Sequence, residues 1–255
     1  MTAPRPAEAT QLHTRLLKCA LAVDASRAYW RETATTPATA SAAFEGYWFG
    51  DKSRAYVEVL LANLRARFDA FPHALTTLQR WPAMPPDVRR LVCHWHLQLS
   101  DPLYRAFTGA FLPNRRRAGR PDVHRDVVIP WVAAQGKGTW TTATRIQFAS
   151  KLLSAATAGG LIAGPGSRSA RPLTVPRVPD DALTYAVHLL QGVTFAGSLV
   201  DNPYLGSLDL AGPALDARLR ALPTIDFHRL GPLVEVTWSP AAAPPWLRPA
   251  PEARP

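Results

Sequence analysis

Cysteine is nearly absent from this chain. Cys19 and Cys93 are the only two among 255 residues, and they form no C-x-x-C pair. A disulfide framework is therefore excluded, and a reducing compartment is expected. Long apolar runs are missing as well: no stretch approaches the ~18 residues that a membrane span needs. The segment from Met1 to Thr10 holds prolines and Glu8 where a signal peptide carries its apolar core. A cytoplasmic location without a membrane partner is the expectation. Catalytic signatures are also lacking. There is no Gly-x-Ser-x-Gly, no P-loop, no dinucleotide-binding glycine fingerprint and no His-Glu-x-x-His. Gly136-Lys137-Gly138 is too short to cradle a phosphate alone. The acids Glu45, Glu58, Asp69, Asp201, Asp209, Asp226 and Glu235 are scattered without paired spacing. Asp226, His228 and Glu235 share one expected hairpin, where they read as its polar side chains. No catalytic residue, cofactor or metal is called for, and a non-enzyme is expected.

The remaining absence is local. Between residues 127 and 177 there is not one Asp or Glu. What stands there is positive charge. Pro113 to Arg177 carries eleven Lys/Arg against Asp122 and Asp126, a net +9 of the chain's +10. The first 112 residues contribute +4 and the last 78 contribute −3. Arg outnumbers Lys 25 to 4, as a GC-rich coding bias produces, but that bias does not remove acids from one segment. A block this uneven marks a surface for a polyanion.

The hydrophobic pattern divides the chain into four stretches. Residues 1–112 read as a helical bundle. A first helix is expected from Glu8 to Glu32 with Leu12, Leu16, Cys19 and Val23 on one side. Ser53 caps the strongest one, in which Val57, Leu60, Leu61, Leu64 and Phe68 recur at helical spacing. Shorter helices follow at His73–Trp81, after Asp87 and after Asp101-Pro102. Residues 113–178 form a basic module. Pro113 to Pro121 is expected to be a loop, His124 to Gln135 a helix despite Pro130, and Thr141 the cap of a helix ending at Gly159-Gly160. Leu161-Ile162 and Pro172–Val178 would flank a Gly/Ser/Arg loop. Helix, Gly-Leu-Ile, then a basic hairpin is the order of a winged helix-turn-helix. Residues 179–240 combine helices after Asp180 and Pro213 with a hairpin of Ile225–Phe227 and Leu233–Trp238 around Gly231-Pro232. The Pro-rich tail, 241–255, is expected to be disordered. The fold class is mainly α, with a central winged-helix-like module and a small C-terminal α+β unit.

Two constellations carry the functional reading. On a helical wheel Phe148, Ala149, Leu152, Leu153, Ala155 and Ala156 form the buried face of the 142–158 helix, and Thr144, Gln147, Ser150, Lys151 and Ser154 the opposite one. Small hydroxyls, an amide and one cation suit a helix entering a groove ~12 Å wide, and its N-terminus, capped by Thr141, offers backbone N–H groups to phosphate. Arg115, Arg116, Arg117 and Arg120 form a phosphate-gripping loop, with Lys137, Arg168 and Arg171 as further contacts. Cys93-His94-Trp95-His96 suggests a metal site, but His94 and His96 lie about 200° apart on a helix and cannot share an ion. Core packing with one solvent-facing histidine is expected there instead.

Phe49-Gly50-Asp51-Lys52-Ser53-Arg54, leading to Arg65-Ala66-Arg67-Phe68, resembles the N-terminal region of the BrxA family. Leu97-Gln98-Leu99-Ser100-Asp101-Pro102-Leu103 with Phe107 resembles its next helical pair. Trp140-Thr141-Thr142-Ala143-Thr144, running to Gly159-Gly160-Leu161-Ile162, resembles its central module. The resemblance spans roughly residues 44–240 and is one of pattern. It implies a helical, DNA-binding component of a bacterial BREX anti-phage defence system, with no enzymatic activity assigned. Double-stranded DNA, held mainly through phosphates, would be the partner, with other defence proteins beside it. The alternatives are a structural adaptor docking acidic proteins and an RNA binder. The second is disfavoured by the lack of an aromatic strand platform.

Overall fold

The computed structural model describes residues 4–136, 138–164 and 170–248. It is mainly helical, with two small antiparallel sheets. The first helix departs from the sequence expectation. Instead of one helix over 8–32 there is a short α1 (Arg15–Lys18), a break in which Ala22 sits at φ 49°, and α2 (Val23–Glu32). The break has a partner. Buried Arg67 donates to the carbonyls of Leu21 at 2.8 Å, Ala20 at 2.7 Å and Cys19 at 3.2 Å, so those carbonyls face a guanidinium rather than a following helical turn.

From here the amphipathic stripes behave as expected. α3 (Ala40–Glu45) is capped by Thr39 and α4 (Arg54–Phe68) by Ser53, whose hydroxyl accepts the Tyr56 amide at 3.3 Å. α4 buries Val57, Leu60, Leu61, Leu64 and Phe68, the stripe its spacing predicts. α5 (Pro72–Gln79) leads to α6 (Pro86–Ser100), which is the centre of the molecule. α2, α4, α7 (Pro102–Ala106) and a later helix all pack on α6, so every residue from Leu91 to Leu99 is buried.

This enclosure corrects the expectation of a solvent-facing histidine, since His94 and His96 are both fully buried. Ser207 already donates its hydroxyl to the Tyr204 carbonyl, so His94 Nε2–H donates to Ser207 Oγ at 2.9 Å and Nδ1 accepts from the Tyr104 hydroxyl at 3.0 Å. His96 Nδ1–H donates to the Arg67 carbonyl at 3.3 Å, and Nε2 accepts from the Tyr185 hydroxyl at 2.7 Å. Each ring is satisfied in its neutral form, and burial pushes both pKa values down to about 3. Among the described residues no His/Cys/Asp/Glu group could hold a metal ion.

A second correction falls on 113–121, expected to be a loop. After α7, capped by Asp101, a π turn over Phe107–Phe111 continues into α8 (Leu112–Arg117). The Leu112 amide bonds five residues back to Phe107. This wider turn accommodates Pro113, which has no N–H to give and would clash with a carbonyl four residues back in a regular helix. Gly109 permits the packing on this stretch, because a Cβ there would lie 2.5 Å from Pro203 Cβ.

β1 (Asp122–Val123), α9 (Arg125–Gln135) and α10 (Thr142–Ala158) follow, then a bridge at Ile162 and β2 (Arg171–Pro172). β2 pairs antiparallel with β1, and Leu173, next along, pairs with Ile162. α11 (Asp180–Gln191) is the further helix on α6. It precedes α12 (Pro203–Gly206), α13 (Gly212–Ala221) and the β3 (Ile225–Leu230)–β4 (Leu233–Trp238) hairpin. The tail is packed as far as described. Trp246 is buried and stacks on Trp81 at 3.9 Å, which corrects the expected disorder for 241–248, while 249–255 lie outside the described residues. The buried apolar side chains form one cluster running from Leu16 to Trp246. No helix among the described residues is long and apolar enough to cross a membrane.

Candidate nucleic-acid interface

α10 is an amphipathic helix with an unambiguous inside. Phe148, Ala149, Leu152, Leu153, Ala155 and Ala156 are buried, the six that the wheel selects. Trp140 packs on Phe148 at 4.4 Å, and α9 lies along the same side. Gln147, Ser150, Lys151 and Ser154 are exposed at i, i+3, i+4 and i+7, a strip with no acid in it. Thr144 is half-buried. Its amide donates to Thr141 Oγ1 at 3.2 Å, and the two hydroxyls lie 2.9 Å apart. Thr141 is therefore the cap of α10, and its hydroxyl is occupied by that role. At the other end Gly160 takes φ +80°, and the Leu161 amide bonds back to the Ala156 carbonyl at 2.9 Å. That turns the chain from the helix into the Ile162 bridge.

The four arginines expected to grip phosphate together do not share one situation. Arg115 is nearly buried, at 12% side-chain exposure. Its Nε donates to the Asp122 carbonyl at 2.8 Å, its Nη2 lies 3.4 Å from Asp122 Oδ1, and its guanidinium sits over the Phe111 ring. Arg116 is half-buried and donates to the carbonyls of Thr174 at 3.3 Å and Ser207 at 3.4 Å. These two fasten α8 to β1, to the chain after β2 and to the 203–207 turn. The cause lies in the continuing helix, which carries successive side chains to different faces where a loop would leave all four in solvent. Arg117 and Arg120 are exposed, with Arg117 hydrogen-bonded to Asn114 Oδ1 at 2.6 Å.

Arg171, in β2, is half-buried and reaches Thr157 Oγ1 at 3.4 Å. Lys137 and Arg168 lie outside the described residues. Two further cations of the same segment, Arg125 at the start of α9 and Arg177, are exposed. Their charge was visible in the sequence, but nothing in the local pattern separated them from arginines spent on packing. The Asp226/His228/Glu235 hairpin group is solvent-exposed at Asp226 and His228, which pair at 3.1 Å, with His228 opposite Glu235 in the register.

Electrostatically, the module presents an acid-free helix strip and exposed cations at Arg117, Arg120, Arg125, Lys151 and Arg177. No protein-family model matches the chain, and no curated protein matches it.

Proposed function

We propose that this protein is a non-enzymatic, double-stranded DNA-binding component of a bacterial anti-phage defence system of the BREX type, related to the BrxA family, and that it holds duplex mainly through phosphates. The observation that carries the reading is the exposed strip Gln147, Ser150, Lys151 and Ser154 on α10, in a segment with no acid from 127 to 177. Such a helix can lie against a polyanion without like-charge repulsion, and its short side chains let the backbone approach a groove.

The element order supports a winged-helix assignment. From α8 the chain runs helix, strand, helix, helix, then two strand positions, and the last of these (β2 with Leu173) lies between β1 and Ile162. In that arrangement α10 is the recognition helix; most of the expected Gly164–Ala170 wing lies outside the described residues. Association with other defence proteins rests on the family resemblance alone.

The test is a titration of a short duplex at several salt concentrations. With about five phosphates neutralised, the log–log slope of affinity against salt should fall near −4 to −5. A flat salt response would remove the DNA reading and favour an adaptor that docks on acidic proteins.

A further inference from the structure

α2 places Arg27 and Arg31 one turn apart, with Trp30 beside them. Like charges at this spacing repel on an isolated helix. Opposite them, the junction between α5 and α6 supplies Leu78, Gln79, Trp81, Pro82, Met84 and Arg89, and the two groups enclose a cavity of about 130 Å³. Its walls are apolar, apart from three guanidiniums and the Gln79 amide. The neighbouring acids are Asp24, one turn ahead of Arg27, and Glu32, which pairs with Arg31 at 2.6 Å. Arg27 makes no ion pair among the described residues.

Two buried lining residues hold donors that no acceptor meets. The Trp30 indole N–H has no hydrogen-bond partner, and neither has Arg89 Nε, although Arg89 Nη2 donates to the Met84 carbonyl at 2.9 Å. Trp30 is 3% exposed and Arg89 8%. Burial and then the Arg27 charge push the Arg89 guanidinium pKa down, so the two cations sense each other. Unpaired buried donors cost free energy, and neighbouring guanidiniums repel. A negative charge in the cavity relieves the repulsion among the guanidiniums.

We infer that this cavity binds a small carboxylate with a flat apolar body, of about the size of benzoate. The volume sets the size of the ring, since a cavity near ~150 Å³ accommodates benzene, and the carboxylate would fall beside the exposed Arg27 and Arg31. The two indoles, Leu78 and Met84 match the apolar body, and the arginines match a carboxylate, which can accept two parallel N–H bonds from one guanidinium. The inference does not depend on the DNA reading.

The test follows the Trp30 indole resonance, assigned with Trp30→Phe, in the intact protein while benzoate is added to about 10 mM, a range that detects millimolar affinity. A saturable shift is expected. Benzyl alcohol, which keeps the ring without the charge, and inorganic phosphate, which keeps the charge without the ring, should each bind about tenfold more weakly, as loss of one charged hydrogen bond or of the ring burial implies. Arg27 and Arg31 are exposed, so the Arg27→Gln/Arg31→Gln double variant should fold normally, lose about tenfold in benzoate affinity and keep its response to benzyl alcohol. No saturable shift with benzoate would overturn the proposal. So would equal binding of benzyl alcohol, which would leave only an apolar hole, or equal binding of phosphate, which would leave a surface anion site.

Discussion

α6 runs for 15 residues and α10 for 17, and both carry polar side chains along what a helical wheel draws as an outer face. From Leu91 to Leu99 α6 has no outer face, whereas α10 keeps one along its length. Helices pack on α6 from several sides, and its two histidines and Gln98 are held by hydroxyls and carbonyls of other elements. The strip of Gln147, Ser150, Lys151 and Ser154 on α10 meets solvent. A wheel separates apolar from polar, but burial depends on how many neighbours the rest of the chain brings. The same lesson divides the arginines. Arg67, Arg115 and Arg116 are spent on carbonyls inside the fold, whereas Arg117 and Arg120 remain outside it.

The sharpest way to break this comparison is to treat α6 like α10. His96→Ala should lower stability by about 4 kcal/mol, since it opens a core cavity and strands the Arg67 carbonyl and the Tyr185 hydroxyl. Urea denaturation would measure it. A loss similar to that from a surface substitution on α10 would mean α6 is not enclosed as described.

Acid probes the same contrast without mutation. His94 and His96 have folded pKa values lowered to about 3 from an ordinary 6.5, so the unfolded chain takes up protons first as pH falls. Their contribution is fully present above pH 6.5 and is lost through the window down to about 3. Between pH 7 and 5 each should cost about 2 kcal/mol of stability. The urea midpoint should fall steeply over that range, and less steeply in His94→Gln. An unchanged midpoint would refute buried neutral rings.

Among the arginines the effects are smaller. Arg115→Ala should cost about 1.5–3 kcal/mol, the range for a charge-assisted hydrogen bond. Arg117→Ala and Arg120→Ala should each stay within about 0.5 kcal/mol. Equal thermal shifts for the three would return all of them to a common exposed loop.

The sequence made legible much of what depends on one element and its own neighbours. The Ser53, Asp101 and Thr141 caps, the buried stripe of α4, the six inward residues of α10 and the Gly231-Pro232 hairpin are all local signals. Most of what it hid depends on partners far along the chain. The break between α1 and α2 answers to Arg67, some 46 residues on. The order of the tail up to 248 answers to Trp81. The helix through Pro113 answers to a π turn, which has no sequence signature of its own. For the candidate interface, the α10 strip could be read directly, but the sorting of Arg115 and Arg116 from Arg117 and Arg120 could not, because a cation on a carbonyl and a cation in water look alike in a sequence.

The central claim is that duplex DNA meets the α10 strip and the cations left outside the fold. Its most direct measurement is the salt dependence of duplex affinity for Arg117→Ala/Arg120→Ala/Lys151→Ala, set beside a charge-matched control of exposed residues elsewhere, Lys52→Ala/Arg54→Ala/Arg90→Ala. The account predicts weaker binding and a log–log slope shallower by about 3 for the first triple, and little change for the control. A folded first triple that binds like the wild type across the same salt range would contradict it.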